Sequence, residues 1–363
     1  MAGLIKTQAG SLVAALALCA LPGRGRQTVL GAVLTADSGG LSLTTTDYAA
    51  TSSIRFAGEG EGALALPAEP LAALAAHFPG DNVLTIAADD GAATITRGGS
   101  RFKLPVISIT DLPERHILGE ETGRVEFDSK TACDLFLRPL FAVSDGKDRP
   151  YLAGVFLHNA GDKVVAVATD AYRLCRVTAP ATAALSLDRK LIVPREMAKI
   201  IARLLGAAPG NVTLRRSERL FSVEGAGFTL VSTRVDSTYP NYERWIPSEG
   251  PNVVTTNRVR LGEALARFAA VADPQTGTHV VSLRWDAGGL RLRADGSEDC
   301  LAAGVEGEGE TAVQIRYLAE LIGALRGDSV RISVAEPGSM ILVTDPEDET
   351  FFAGQMPIRP RSS

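Results

Sequence analysis

Three carboxylates invite a chemical reading first. Asp47, Asp170 and Asp295 each close a hydrophobic run at a Thr-Asp or Ala-Asp step, and a set of aspartates is what a metal-dependent nuclease gathers around a divalent ion. Their spacing argues against that chemistry. They lie 123 and 125 residues apart, within the stretches TTTDYAAT, VATDAYRL and LRADGSED. They therefore occupy corresponding places in separate copies of one unit and read as turn residues whose side chains bond neighbouring N–H groups.

The other chemistry-bearing residues are as scattered. His77, His116, His158 and His279 form no HxH or HExxH pattern, the spacings that put two imidazoles on one metal. Cys19, Cys133, Cys175 and Cys300 are separated by 114, 42 and 125 residues. No CxxC pair exists, so the thiols read as small core residues of a reducing compartment. The glycine-rich run GEGEG at 58–62 carries two glutamates that would repel a phosphate, and no GxxxxGK[ST] loop is present. A nuclease is the rival from the enzyme class; it would show metal-dependent cleavage abolished by Asp170→Asn.

The elements that must position these residues recur with the same period. Each third opens with a helical segment, at 10–21, 130–141 and 260–271, rich in Ala, Leu and Phe. Strands lead to the Asp turn, and a second helix then starts at Leu66-Pro67, Val193-Pro194 or Ile315-Arg316 and runs toward Gly80, Gly206 or Gly327. Proline suits a first helical turn and glycine a stop. A last group of strands includes Phe102, Phe228 and Phe352, spaced by 126 and 124. Two independent landmarks share one period, so the chain is three copies of one domain. The expected class is α+β, with helices on one face of antiparallel sheets. The expected domains are 1–120, 121–248 and 249–363, joined by linkers within 114–123 and 247–253.

With 363 residues, 45% apolar and 22% charged, the chain has the composition of soluble globular protein. The run LVAALALCAL at 12–21 has the length of a signal-peptide core but is too short to span a bilayer. Leu18 precedes Cys19 where a lipoprotein signal needs a small residue, and no A-x-A site follows. The expectation is a buried helix in a cytoplasmic protein. Charge is separated: the segments 6–26, 67–79, 129–140, 194–206, 257–271 and 314–327 together carry +8 in a chain of net −5. That pattern fits one face held near phosphates and the rest repelled from them. Solvated helix faces give the same asymmetry, because Lys and Arg are good helix formers.

Particular motifs then match a family. Thr169-Asp170-Ala171-Tyr172-Arg173-Leu174 resembles T-D-G-H-R-L, and Arg149-Pro150-Tyr151-Leu152-Ala153-Gly154 resembles R-x-Y-L-N-G. Ile192-Val193-Pro194-Arg195 matches I-V-P-R, Tyr239-Pro240-Asn241-Tyr242-Glu243-Arg244 resembles F-P-D-Y-x-R, and Met356-Pro357-Ile358-Arg359 resembles M-P-M-R. These are, in order, motifs of the bacterial β sliding clamp family, the processivity subunit of DNA polymerase III. With Thr46-Asp47 and Ser100-Arg101-Phe102 in the first third, the resemblance spans the chain. It implies a head-to-tail homodimeric ring around duplex DNA, with no chemistry and no cofactor. A closed ring holds DNA topologically, so side chains need only screen phosphates.

Position by position, the resemblance implies DNA contacts at Arg26, Arg149, Tyr151 and Arg195. It also implies a hydrophobic pocket that takes short linear peptides of the replicative polymerase and the clamp loader. Leu152, Thr169, Ala171, Tyr172, Arg173 and Leu174 would come from the second domain, followed by Pro240, Arg244 and Trp245 near its end. The third domain would add Gln314, Tyr317, Met340, Gly354, Met356, Pro357, Ile358 and Arg359. Dimer contacts would use Leu112 on one side and Phe268, Ala270 and Val271 on the other, the last two smaller than is usual. The chain departs from the family pattern at Ala171 for Gly, Tyr172 for His and Trp245 for a smaller aliphatic residue. An accessory or resistance-associated clamp homologue with altered partner specificity is therefore the alternative to a main replicative clamp. A clamp-like scaffold that no longer closes on DNA is a further rival, which a monomeric state would favour.

Overall fold

The computed structural model describes residues 3–22, 31–89, 91–146, 148–180, 190–272 and 279–358. Among these lie helices α1 (Ala9–Cys19), α2 (Ala68–Ala75), α3 (Ser129–Leu137), α4 (Arg195–Ala207), α5 (Arg258–Val271) and α6 (Ile315–Gly323). Each third repeats one order: a strand, a helix, several strands, a second helix and three closing strands. The helix ends differ from the sequence expectation. Pro67 and Pro194 are the residues before α2 and α4 rather than their first turns. α2 stops at Ala75, well before Gly80, because His77 and Phe78 donate to the carbonyls of Leu74 and Ala75 in tighter three-residue turns.

The chain forms two compact units, Met1–Asp134 with Ala181–Arg234, and Leu135–Pro180 with Val235–Ser363. The second repeat contributes to both, because strands pair across the repeat junctions. In the first unit an eight-stranded antiparallel sheet runs Gly123–Asp128, Asn211–Arg216, Leu220–Gly225, Phe228–Thr233, Ala50–Phe56, Gly40–Thr46, Gly31–Asp37, Ala63–Pro67. The pairing of Phe228 with Ile54 joins the first repeat to the second. A five-stranded sheet runs Glu59–Glu61, Leu4–Gln8, Val83–Asp89, Ala92–Arg97, Ser100–Pro105.

Leu12, Ala15, Leu16 and Cys19 of α1 pack with Leu71 and Ala75 of α2 against Leu34, Leu43, Ile86 and Ile95 of these sheets. The apolar run at 12–21 is thus a core helix of Ala and Leu, both strong helix formers. Burial pushes the Cys19 thiol up to about 12, so it stays protonated and inert. Among the described residues no helix is long and apolar enough to cross a membrane.

In the second unit eight antiparallel strands follow the order Gly154–Ala160, Lys163–Thr169, Arg173–Pro180, Asp348–Gln355, Ile341–Asp345, Ser329–Val334, Asn252–Asn257, Ala303–Glu306. Arg173 pairs with Gln355, joining the second repeat to the third. A four-stranded sheet runs Ser297–Leu301, Gly289–Ala294, Val280–Asp286, Gly309–Gln314.

The helices hold less positive charge than the wider segments read from sequence. α1 has no charged residue and α2 has only Glu69, whereas α4 and α5 each carry a net +2. Lys6 lies on a strand, 3.7 Å from Glu59. Arg138 is buried, with its Nη1 2.7 Å from Asp348 Oδ2 and its guanidinium 4.1 Å over the Phe351 ring. Arg24 and Arg26 fall outside the described residues.

Candidate functional site

The reversal at Asp170 is built by its own side chain. Asp170 Oδ1 accepts from the N–H groups of Tyr172 and Arg173 at 2.9 and 3.0 Å. The Thr169 hydroxyl donates to the Arg173 carbonyl at 2.7 Å and accepts from Ala171 N–H at 3.1 Å. Asp47 repeats the arrangement, with Oδ1 2.7 Å from both Ala49 N and Ala50 N. The third copy differs. Asp295 and Gly296, at φ 48 and 77, make a two-residue hairpin turn between Ala294 and Ser297, the left-handed pair that suits a tight reversal. All three aspartates are turn residues, as their spacing predicts.

The Asp170 turn exposes Tyr172 and buries Arg173. Tyr172 is 59% exposed, while Arg173 is 5% exposed. Arg173 donates through Nε to Asp170 Oδ2 at 3.0 Å and through Nη1 to Glu320, and its guanidinium lies 4.2 Å over the Tyr317 ring. Burial would raise the Glu320 carboxyl pKa, but hydrogen bonds from Arg316 and Arg173 outweigh it and hold the group below its ordinary value. Two of its donors are thus engaged inside the unit, where Arg173 braces the turn against α6. Sequence reasoning missed Glu320 as a support. The four-residue spacing of Glu320 from Arg316, a helical ion pair at 2.9 Å, was its only signal.

Around this turn the second unit assembles a surface in two tiers. Leu152, Thr169, Leu174, Met340 and Gly354 are buried beneath it. A Cβ on Gly354 would come within 2.4 Å of Met340 Sδ, so glycine there lets the strand lie against the methionine. Ala171, Tyr172, Met356 and Ile358 are exposed, as are Arg244 and Trp245 elsewhere in the unit's sequence, with Pro240, Gln314, Tyr317 and Pro357 half-buried. Met356 N–H donates to the Tyr172 carbonyl at 2.7 Å and Ile358 N–H to Ala312 at 2.7 Å. Arg359 lies outside the described residues. A polar cavity of about 330 Å³ adjoins, lined by Ser144, Asp148, Arg149, Tyr172, Arg316 and Tyr317 among others. It brings Arg149, expected at DNA, beside Tyr172, expected at a peptide.

Two family models match the chain, the DNA polymerase III beta subunit central domain over 127–241 and its C-terminal domain over 243–359. Together they span well over half of it. The chain belongs to the bacterial β sliding clamp family. Members of this family are processivity factors rather than catalysts. The beta sliding clamp of Synechococcus elongatus is 29% identical over 359 residues, covering 94% of this chain and 95% of the relative. That of Vibrio cholerae is 27% identical over 352 residues, covering 93% and 94%. The solved Pseudomonas aeruginosa sliding clamp bound to griselimycin superposes with a TM-score of 0.91 at 26% identity, covering 99% of this chain and all of that one.

Measured against the other residues expected from this family, the structure is more selective. Arg149 is half-buried, 3.7 Å from Asp148, and Tyr151 is 36% exposed. Arg195 is the half-buried first residue of α4, and Arg26 lies outside the described residues. At the expected dimer contacts, Ala270 and Val271 are exposed. Phe268 is 4% exposed. Leu112 is half-buried against Gly31, where an added Cβ would meet its Cδ2 at 2.4 Å.

Proposed function

We propose that the chain works in the cytoplasm as a DNA sliding clamp. It forms a head-to-tail homodimer closed around duplex DNA and tethers polymerase and clamp loader through the surface around Tyr172 and Trp245. The observation that carries the tethering half is the meeting of the Asp170 turn with the chain's last described residues, through the 2.7 Å bond from Met356 to Tyr172. It gathers apolar side chains from distant parts of the sequence into one accessible patch, the arrangement that anchors linear peptides. The proposed domains are 1–120, 121–248 and 249–363; the two family matches begin at 127 and 243.

Open sheet edges support the dimer. Ser100–Pro105 is an edge strand of the five-stranded sheet and carries Arg101 and Lys103; Ser297–Leu301 is an edge strand of the four-stranded sheet and carries Glu298 and Asp299. Exposed edges of opposite charge in the first and third repeats favour pairing between copies over self-pairing of like edges. Sedimentation at micromolar concentration tests this. A dimer that the double charge reversal Arg101→Glu, Lys103→Glu converts to monomer is expected, and a wild-type monomer would sink the ring. On DNA, the ring should remain on circular duplex and run off linear ends.

Tyr172 at 59% and Trp245 at 51% exposure favour a second reading within the same class. Both stand where the family pattern has smaller or different side chains, so an accessory clamp with its own partner preference fits the surface. Direct comparison of binding to the host's replicative polymerase and to accessory polymerases separates the two readings.

A further inference from the structure

We infer that Tyr239 and Tyr242 form a two-point brace on the strand Gly154–Ala160, and that this brace sets the position of Trp245 and hence the fit of the partner surface. The second half rests on the peptide-tethering reading above. The segment from 235 to 251 has no regular structure except the 3₁₀ turn Tyr242–Trp245. A connection without ladder hydrogen bonds holds its side chains in place only where something pins it. Besides the ion pair of Glu249 with Arg331 near its end, two aromatic pins hold the part of it before Trp245. The Tyr239 ring stacks on Phe156 with centroids 4.4 Å apart and planes 1° apart. The Tyr242 hydroxyl lies 2.9 Å from His158 Nε2.

The geometry of the pins is matched. Phe156 and His158 are alternate residues of one strand and share a face, while the tyrosines that grip them are three apart and each 4% exposed. The direction of the hydrogen bond follows from the other ring nitrogen. His158 Nδ1 is 3.0 Å from the Asn159 carbonyl, which can only accept, so Nδ1 carries the proton and neutral Nε2 accepts from Tyr242. Burial, with a smaller contribution from Glu243, pushes the Tyr242 hydroxyl up to about 12, so it remains a donor at neutral pH. Trp245 closes the same turn, which Ile246 N–H ends by donating to Glu243 at 3.2 Å. Its own ring is half exposed, and its position depends on the pinned residues before it.

Three substitutions test the brace. Tyr242→Phe deletes only the hydroxyl, His158→Leu deletes the acceptor, and His158→Gln restores an acceptor oxygen near the place of Nε2. The first readout is acrylamide quenching of tryptophan fluorescence, which reports Trp245 because Trp285 is fully buried. The second is the Kd for griselimycin, the ligand of the solved Pseudomonas aeruginosa clamp. Tyr242→Phe and His158→Leu should raise quenching and weaken griselimycin by about 3- to 10-fold, the range of one net hydrogen bond. His158→Gln should return both toward wild type. Wild-type quenching in Tyr242→Phe overturns the brace, and raised quenching with unchanged affinity overturns its link to the partner surface. Raised quenching in a protein whose wild type does not bind griselimycin supports the brace and counts instead against the tethering reading.

Discussion

The N–H of Met356 donates to the carbonyl of Tyr172 at 2.7 Å, and in the first unit Thr233 donates to Ala49 at 2.9 Å in the equivalent bond. In both units the end of one repeat's last strand is tied to the Asp turn of the repeat before it. The consequence differs between the two. Arg173 follows Tyr172 and is braced by Asp170 and Glu320, whereas Ala50 follows Ala49, and α1 and α2 contain no arginine or lysine. The same backbone device therefore carries a buried, braced arginine in the second unit and no arginine in the first, with an exposed tyrosine on each turn, Tyr172 and Tyr48.

Ala171 holds φ 77, a left-handed conformation that costs an L residue roughly 1–2 kcal/mol. Glycine avoids that strain but loses more freedom on folding, by roughly 0.5–1 kcal/mol. Ala171→Gly should therefore stabilise the protein by about 0.5–1 kcal/mol in urea unfolding, with the Asp170 hydrogen bonds intact. A loss of stability would show that the surroundings have adapted to the methyl group.

Arg138 and Asp348 make an internal ion pair with side chains 7% and 17% exposed. Arg138→Met keeps an apolar stem against Phe351 but strands the carboxylate, and removing one partner of a buried pair costs about 3–5 kcal/mol. Burial alone would raise the Asp348 pKa, but hydrogen bonds from Thr350 and Arg138 outweigh it and hold it below its ordinary value. With a folded pKa below an unfolded value of about 3.9, the pair's contribution is complete above that pH and is lost as pH falls through the folded pKa. The stability gap between wild type and Arg138→Met should be widest near neutrality and shrink below about pH 4. A gap that does not change with pH would contradict this account.

The turns and repeats were legible because they rest on local chemistry. An aspartate that caps its own reversal must sit at one fixed place in each copy, so Asp47 and Asp170 announced themselves. The charge pattern was less legible. Windows drawn around the helices took in Lys6 on a strand and Arg138 in the interior, and only the packing distinguishes those from a basic face. The brace of Tyr239 and Tyr242 was not legible at all, since Phe156 and His158 lie more than 80 residues earlier and pair with them only through the fold. Phe268 shows another limit: its motif position points to an interface, while its side chain is 4% exposed in the single chain.

Direct DNA contacts should be weak and salt-sensitive. Each neutralised phosphate contributes about 0.9 to the slope of log K against log salt on duplex DNA. On the clamp proposal, Arg195 at the start of α4 meets a phosphate, and Arg195→Ala should lower that slope by about one. An unaltered slope would remove Arg195 from the DNA surface, and a strong preference for one sequence would contradict loose screening.

On the tethering proposal, Tyr172 and Trp245 should decide which peptides the surface accepts. An added ring fills volume that a ligand side chain would otherwise take, and overpacking costs on the order of 1–3 kcal/mol, about one to two decades in affinity. Both rings are more than half exposed, so they are also placed to form an aromatic wall for a different anchor. Typical clamp-binding peptides should then gain affinity on Tyr172→His and Trp245→Val, while the chain's own partner peptide loses it. Calorimetric titration of both peptide classes against wild type and the two variants measures the crossover. If neither substitution alters the affinity of either class, the two rings do not shape the site and its preference must be set by the residues around Met356 and Ile358.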